Sequence, residues 1–345
     1  MKNTAEAKRK LRIFNGGYFR LPTSAFRLGG IAVVASALVI ADATAQHYPS
    51  KPIRFVIPFA PGGANDVIGR LVGGKLGEVL GQQMIMDNRG GAGGSIGLDL
   101  VAKSPPDGYT LVLGNIATLS VNPTLYPKLP YNPLRDFQPI SLAAKSQQVL
   151  VVHPSLPANS VKQLIALAKA RPGALVYASG GNGSGAHLTA EYFKLLTKTD
   201  LVHVPYKGLG PAYIDLIAGQ IVVVFGGVTG VGPHIRSGRV RALGVSGAVR
   251  VPAFPDIPTI AEAGVPGYDV TLWYGVLAPA GTPAAVVTRL HSAMTTALQS
   301  ADLKQRLYNS GAEPAPTTSE EFRGLIKSEI DRWAPIIRAS GAKVD

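Results

Sequence analysis

The sequence has no cysteine, which excludes a disulfide framework, thiolate metal sites and cysteine nucleophiles. Charge is sparse at 16% and aromatic residues make up only 7%. The basic residues are scattered rather than gathered into a patch interleaved with aromatics, so nucleic acid is not an expected partner. The six histidines (His47, His153, His187, His203, His234 and His291) show no metal-ligand spacing. No metal and no cofactor is therefore expected. The N-terminal apolar run Gly30–Ala41 is too short to cross a membrane, since twelve residues of helix reach about 18 Å against a hydrocarbon core of about 30 Å.

What is present is a chain of 345 residues, 46% hydrophobic, long enough for a large core and, by size, for two domains. Its 40 glycines and 27 prolines are spread between apolar periodic segments and read as loop chemistry. Residues 1–29 carry Lys2, Lys8, Arg9, Lys10, Arg12, Arg20 and Arg27, followed by the apolar run and then Ala43-Thr44-Ala45. A basic region, a short apolar region and a small-x-small site describe a secretory signal peptide over residues 1–45, cleaved between Ala45 and Gln46. Seven of the 34 basic and two of the 21 acidic residues lie in that segment, which leaves 27 against 19 and a mature charge of +8. A mild positive balance suits an anionic ligand.

The mature chain alternates short β-rich runs with helical patterns, the signature of an α/β fold with mainly parallel sheets. Strands are expected at Ile53–Phe59, Met84–Asn88, Tyr109–Gly114, Ile140–His153, Ala174–Ser179, Leu201–Pro205, Ile221–Phe225, Val240–Val245 and Val270–Ala278. Ser160-x-x-Gln163 and Thr259-x-x-Glu262 are capping boxes. Thr282-Pro283 opens a C-terminal helix, and a last helix from Ser319 meets a kink at Pro335.

Two strand–glycine loop–helix units stand about 120 residues apart by this count. One holds Pro61-Gly62-Gly63 and the other Ser179–Gly185. A helix start has unpaired N–H groups and a positive dipole end, and glycine lets the backbone come close to a ligand, so each loop can capture an anion. Taken singly, either loop reads better as a tight turn; two of them, one in each half, favour a binding site. Asp66, beside the first loop, would repel a carboxylate and reads as a residue that compensates the helix dipole and orders the loop. His187, in the first turn after the second loop, is placed either to touch a ligand or to cap and pack.

Two enzyme motifs fail on context. Gly181-x-Gly183-x-x-Ala186 follows a strand like a dinucleotide fingerprint, but the next strand ends in Tyr206-Lys207 with no acid for a ribose. Gly93-x-Ser95-x-Gly97 matches a serine-hydrolase elbow in letters, yet the loop Arg89–Gly94 separates Ser95 from its strand. A secreted hydrolase using Ser95 is the rival reading; an enzyme is not expected.

Several stretches resemble the substrate-binding receptors of tripartite tricarboxylate transporters, the Bug family. They are PFAPGGANDVIGR (58–70), DNRGGAGGSIGLDLVAKSPPDGYTLVLGN (87–115), DFQPISLAA (136–144), ASGGNGSGAHLTAE (178–191), HVPYKG (203–208), PDIPTIAEAG (255–264) and WYGVLAPAGTP (273–283). The resemblance implies a two-lobed periplasmic-binding-protein fold of the Venus flytrap type. One lobe would comprise residues 46–147 and 270–345, the other 148–269. It implies a monomer that binds a small organic carboxylate and hands it to integral membrane transporter subunits, or alternatively signals to a sensor protein. Carried over residue by residue, the ligand contacts would be Phe59, Ala60, Gly62 and Gly63 on one lobe and Ser179, Asn182, Ser184 and His187 on the other. Asn115 and Thr118 would serve the far end of the ligand. Where the family commonly reads GQVDLMFD, this chain reads GQIVVVFG, so Val222 and Gly226 replace two acids. A ligand that needs a carboxylate partner there, such as an amino acid, is disfavoured.

The signal reading predicts a mature N-terminus at or near Gln46, with the protein released by osmotic shock. Sequencing the N-terminus of the exported protein checks this, and full-length chain in the membrane fraction would refute it.

Overall fold

The computed structural model describes residues 48–206 and 208–340. The expected signal peptide lies outside the described residues. The first unit runs β1 (Ile53–Ile57), α1 (Ala64–Leu80), β2 (Met84–Asn88), α2 (Ser95–Ala102) and β3 (Thr110–Asn115). Helix α1 buries Ile68, Val72, Leu76 and Leu80 as its apolar stripe requires, and it stops at Gly81 in the left-handed conformation (φ 69°). Gly69, Gly73 and Gly77 are buried on the same helix. A Cβ there would stand 2.9 Å from Ile57, 2.6 Å from Met86 and 2.8 Å from Gln82 O, so glycine lets the helix sit unusually close to the sheet.

After a π-helical turn (Ala117–Val121) and the short helix α3 (Asn122–Leu125), the chain enters β4 (Phe137–Ser146) and β5 (Gln148–Val152). A single strand was expected over this stretch. It is two strands in different sheets, separated at Gln147, whose side chain accepts the Gly247 N–H (3.0 Å) and donates to Val249 O (3.0 Å). The apolar period runs on through the break, which hides it from the local hydrophobic pattern.

The second unit contains α4 (Val161–Ala170), β6 (Leu175–Ser179), α5 (Gly185–Thr197), β7 (Leu201–Pro205), α6 (Leu209–Ile217), β8 (Val223–Gly227), α7 (Val228–Arg236) and β9 (Arg241–Val245). The chain then returns as β10 (Leu272–Pro279), α8 (Ala284–Gln299), α9 (Ala301–Asn309), β11 (Ala312–Pro314) and α10 (Ser319–Ser340). Helix α8 begins one residue later than expected, with Pro283 itself as N-cap and the Thr282 hydroxyl donating to Pro279 O. Helix α10 continues through Pro335.

The first sheet has the order β11-β4-β10-β3-β1-β2 and the second β7-β6-β8-β5-β9. The α/β class stands, but each sheet is mixed rather than mainly parallel. β1 with β2 and β3, and β6 with β7 and β8, pair in parallel, whereas β4, β5, β9, β10 and β11 add antiparallel pairings. The antiparallel strands β4, β5, β9 and β10 are those that flank the passages between sheets, so they are not made by helical crossovers.

The two passages are fastened to each other at Ser246, which is fully buried. Its N–H donates to Gln148 O (2.8 Å), its hydroxyl accepts from Gln148 N (2.9 Å) and donates to Val270 O (2.7 Å), and its carbonyl accepts from Val270 N (2.7 Å). Above β10, the Phe322 ring of α10 lies edge-on to Trp273 (5.7 Å between centroids) and covers Gly275. A Cβ on Gly275 would fall 2.2 Å from that fully buried ring. Gly275→Ala is therefore predicted to destabilise the fold by about 1–3 kcal/mol through overpacking, as read from urea denaturation.

Candidate functional site

In each sheet the first parallel strand lies between the next two: β1 between β3 and β2, β6 between β8 and β7. The chain leaves β1 and β6 toward one side and later crosses to the other. This makes a switch point at the carboxyl ends of β1 and β3, and another at β6 and β8, where open α/β sheets bind ligands. Both glycine loops lie at these points.

At the first, α1 starts from Gly63 (φ −87°), which supplies no side-chain cap. Gly62 has φ +88° and open space around its Cβ position, so backbone conformation rather than crowding requires glycine. Asp66 fixes this loop. Its buried carboxylate accepts the Gly62 N–H (3.0 Å), Arg70 Nε (2.9 Å) and Asn88 Nδ2 (2.9 Å), and Asn88 Nδ2 also donates to Phe59 O (3.0 Å). Burial opposes the charge on Asp66, yet the bonds from Arg70, Gly62 and Asn88 outweigh it and hold the pKa below its ordinary value. Ala60, Gly62 and Gly63 are exposed and Phe59 is half-buried. Asn115 ends β3, and Thr118 follows in the π-helical turn. Thr118 N donates to Asn115 Oδ1 (3.0 Å), Asn115 N donates to Thr118 Oγ1 (3.0 Å), and Thr118 O accepts from the Tyr131 hydroxyl (2.5 Å). Thr118 is fully buried, and Asn115 reaches across the switch point to Asn65 Oδ1 (2.7 Å).

At the second, Ser184 is the N-cap of α5, accepting the His187 N–H at 3.4 Å. The Gly183 N–H donates to His187 Nδ1 (3.0 Å), which places the ring proton of the neutral imidazole on Nε2. Ser179 Oγ accepts the Gly181 N–H (3.1 Å) and lies 2.6 Å from His203 Nε2. Asn182 is exposed at the loop tip. Beneath the loop, His187 stacks on His203 (4.2 Å, 14°) and His203 on Tyr177 (4.9 Å, 20°). Tyr177 donates to Glu191 Oε1 (2.6 Å), which also pairs with Lys194 (2.8 Å). Leu125, just past the Thr118 turn, comes within 3.0 Å of where a Gly183 Cβ would stand, so the segment leaving the first switch point abuts the second loop.

Phe59, Ala60, Gly62, Gly63, Asn115 and Thr118 thus gather at one switch point and Ser179, Asn182, Ser184 and His187 at the other. Sequence reasoning missed Asn65, whose signal was a polar side chain directly after PGGA, and it missed His203, set aside for lack of metal spacing although it faces His187. It also missed α7, which opens at Gly227 on the end of β8. Gly226 cannot hold a larger side chain: a Cβ would meet Val231 at 2.3 Å and the Tyr213 hydroxyl at 2.8 Å. Ser95 lies behind a separate 3-10 turn (Ala92–Gly94), nearly buried, with its hydroxyl accepting from Asn122 Nδ2 (3.1 Å). A cavity of about 600 Å³ opens elsewhere, at the junction of the sheets, against Lys145, Gln147, Trp273 and Arg332. It shares no residue with either glycine loop, so size alone does not locate the site.

Residues 68–342 match the family described as the tripartite tricarboxylate transporter family receptor. The chain belongs to this family. It is 41% identical to the protein BugT of Bordetella pertussis over 312 residues, 90% of this chain and 96% of that one. Among solved structures, an R. palustris protein solved with adipate is 36% identical with a TM-score of 0.80, covering 86% of this chain and 100% of that one. MatC of Rhodopseudomonas palustris, solved with bound malate, is 33% identical with a TM-score of 0.76, covering 84% and 100%. The fold is that of periplasmic binding proteins: the chain is 32% identical to the periplasmic binding protein BugD, with a TM-score of 0.77 over 86% of this chain and 99% of that one.

Burial pushes the pKa of His187 down to about 4, helped by Lys194; burial, His187 and Lys194 push His203 down to about 4 against the opposing pull of Glu191. Unfolded histidines titrate near about 6.5, so on acidification the unfolded state takes up these protons first. The stabilisation is complete above about pH 6.5 and is lost as pH falls towards about 4. The predicted loss is on the order of 3 kcal/mol for His187 at about pH 4 and smaller for the more exposed His203, measured as denaturant midpoints across that window. A His187→Gln/His203→Gln double variant should show a flatter profile.

Proposed function

We propose that the protein is a periplasmic receptor that captures a small carboxylate between its two glycine loops and delivers it to the membrane subunits of a tripartite tricarboxylate-type transporter. The observation that carries this reading is the repeated device: an uncapped or serine-capped helix start at the switch point of each sheet. In this reading residues 46–147 with 270–345 form one lobe and 148–269 the other, and residues 1–45 are removed on export. The ligand carboxylates meet backbone N–H groups within Phe59–Gly63 and Ser179–His187 other than those of Gly62, Gly181, Gly183, Ser184 and His187, which already have partners in the loops. About four charge-assisted bonds, at about 1.5–3 kcal/mol each before ordering costs, are ample for micromolar affinity, about −8 kcal/mol. The relatives solved with adipate and malate support the ligand class. The closed space at Gly226 supports ligands without an ammonium group, since no acid stands there to receive one.

A thermal-shift panel tests this. Succinate, malate and adipate should raise the melting temperature more than aspartate or glutamate; the reverse order would overturn the ligand class. Gly183 has φ +74° and Leu125 close by, so Gly183→Val should disorder the second loop and abolish binding. Gly63→Val meets no atom within 4 Å and its φ of −87° suits any residue, so that variant should fold normally and lose binding solely through blocked backbone approach. Calorimetry, with circular dichroism for folding, reads both. A folded valine variant binding within about threefold of wild type would remove that loop from the site.

A further inference from the structure

Three amides form an oriented relay across the first switch point. The Thr118 backbone N–H donates to Asn115 Oδ1 (3.0 Å), with the Thr118 hydroxyl 3.2 Å away on the same oxygen. This turns Asn115 Nδ2 towards Asn65, where it donates to Oδ1 at 2.7 Å. The opposite orientation of Asn65 would set two NH2 groups face to face, so its oxygen is held inward and its Nδ2 outward. Among the described residues nothing accepts from Asn65 Nδ2, and the side chain is half-buried rather than free in solvent. It stands in the first turn of α1, beside the N–H groups that Gly63 leaves uncapped and between the carboxyl ends of β1 and β3.

We propose that Asn65 determines specificity: through Asn115 it is locked as a donor, and it selects ligands whose second end is a hydrogen-bond acceptor, that is, dicarboxylates over monocarboxylates and ω-amino acids. The proposal rests on the receptor reading above. An ammonium group at this position would meet the Asn65 donor and the positive end of the α1 dipole, both unfavourable to a cation. An alkyl end would leave the half-buried amide without a partner, and an unmet buried donor weakens binding. A second carboxylate satisfies both the amide and the helix start.

Asn65→Asp is the sharpest test, because it is isosteric. Its inner oxygen still accepts from Asn115, and an acid in the first turn of a helix favours the fold. Solely the outward donor is replaced, by a charged acceptor. Calorimetry would compare adipate, hexanoate and 6-aminohexanoate, with succinate and glutarate covering shorter spans. The wild type should prefer one of the dicarboxylates to hexanoate. N65D should lose about 100-fold for that dicarboxylate and gain about tenfold for the matching amino acid, while Asn65→Ala loses about tenfold for the dicarboxylate and little for hexanoate. If hexanoate is the better wild-type ligand, or if N65D binds the dicarboxylate within about threefold of wild type, Asn65 does not select the ligand although the receptor reading stands. If no carboxylate binds the wild type, both fall.

Discussion

A helix that begins without a side-chain cap leaves backbone donors that must find partners in water or in a ligand. Helix α1 begins this way at Gly63, and the surrounding structure is arranged to keep the donors open. Asp66, the natural acid to neutralise such a start, is instead turned back on the loop and saturated by Gly62, Arg70 and Asn88. The charge that could block an anion is thereby spent on holding the loop, and Arg70 offsets it. The three glycines of α1 bring the helix hard against β1 and β2, so its position is set by contact with Phe55, Ile57 and Met86. The second loop reaches a similar result by other means: a serine cap, a histidine acceptor and a stack of three rings below.

The two loops therefore differ in character although they occupy equivalent topological positions. The first is held by ionic and amide bonds at the surface. The second rests on a desolvated aromatic layer whose histidines stay neutral because burial opposes their charge. Neutrality matters there, since His187 can accept the Gly183 N–H at Nδ1 only while that nitrogen is unprotonated.

Much of this was legible in the sequence, for identifiable reasons. Met84–Asn88 and Leu201–Pro205 were bounded correctly because turn residues flank short β-branched or apolar runs. The glycine loops were visible because glycine, a strand end and a helix pattern coincide. What escaped had causes outside the local pattern. Helix α7 contains Gly230, Gly232 and Pro233 and has little intrinsic preference for helix; packing against β5 and β8 decides it. The split at Gln147 depends on Gly247 and Val249, a hundred residues away. The orientation of Asn65 depends on Asn115, and no window of sequence contains both. Abundant glycine read as loop chemistry, yet Gly69, Gly73 and Gly77 serve the opposite purpose, close packing inside a helix.

The clasp at Ser246 gives the molecule a particular mechanics. Two connections stapled through one buried residue behave as a single band, not as two independent tethers. Bending about the band can leave its four hydrogen bonds intact. Sliding one sheet along the other must break several together, and each buried polar group left unpaired costs about 1–3 kcal/mol. Rotation is thus the soft coordinate between the sheets, and translation is stiff.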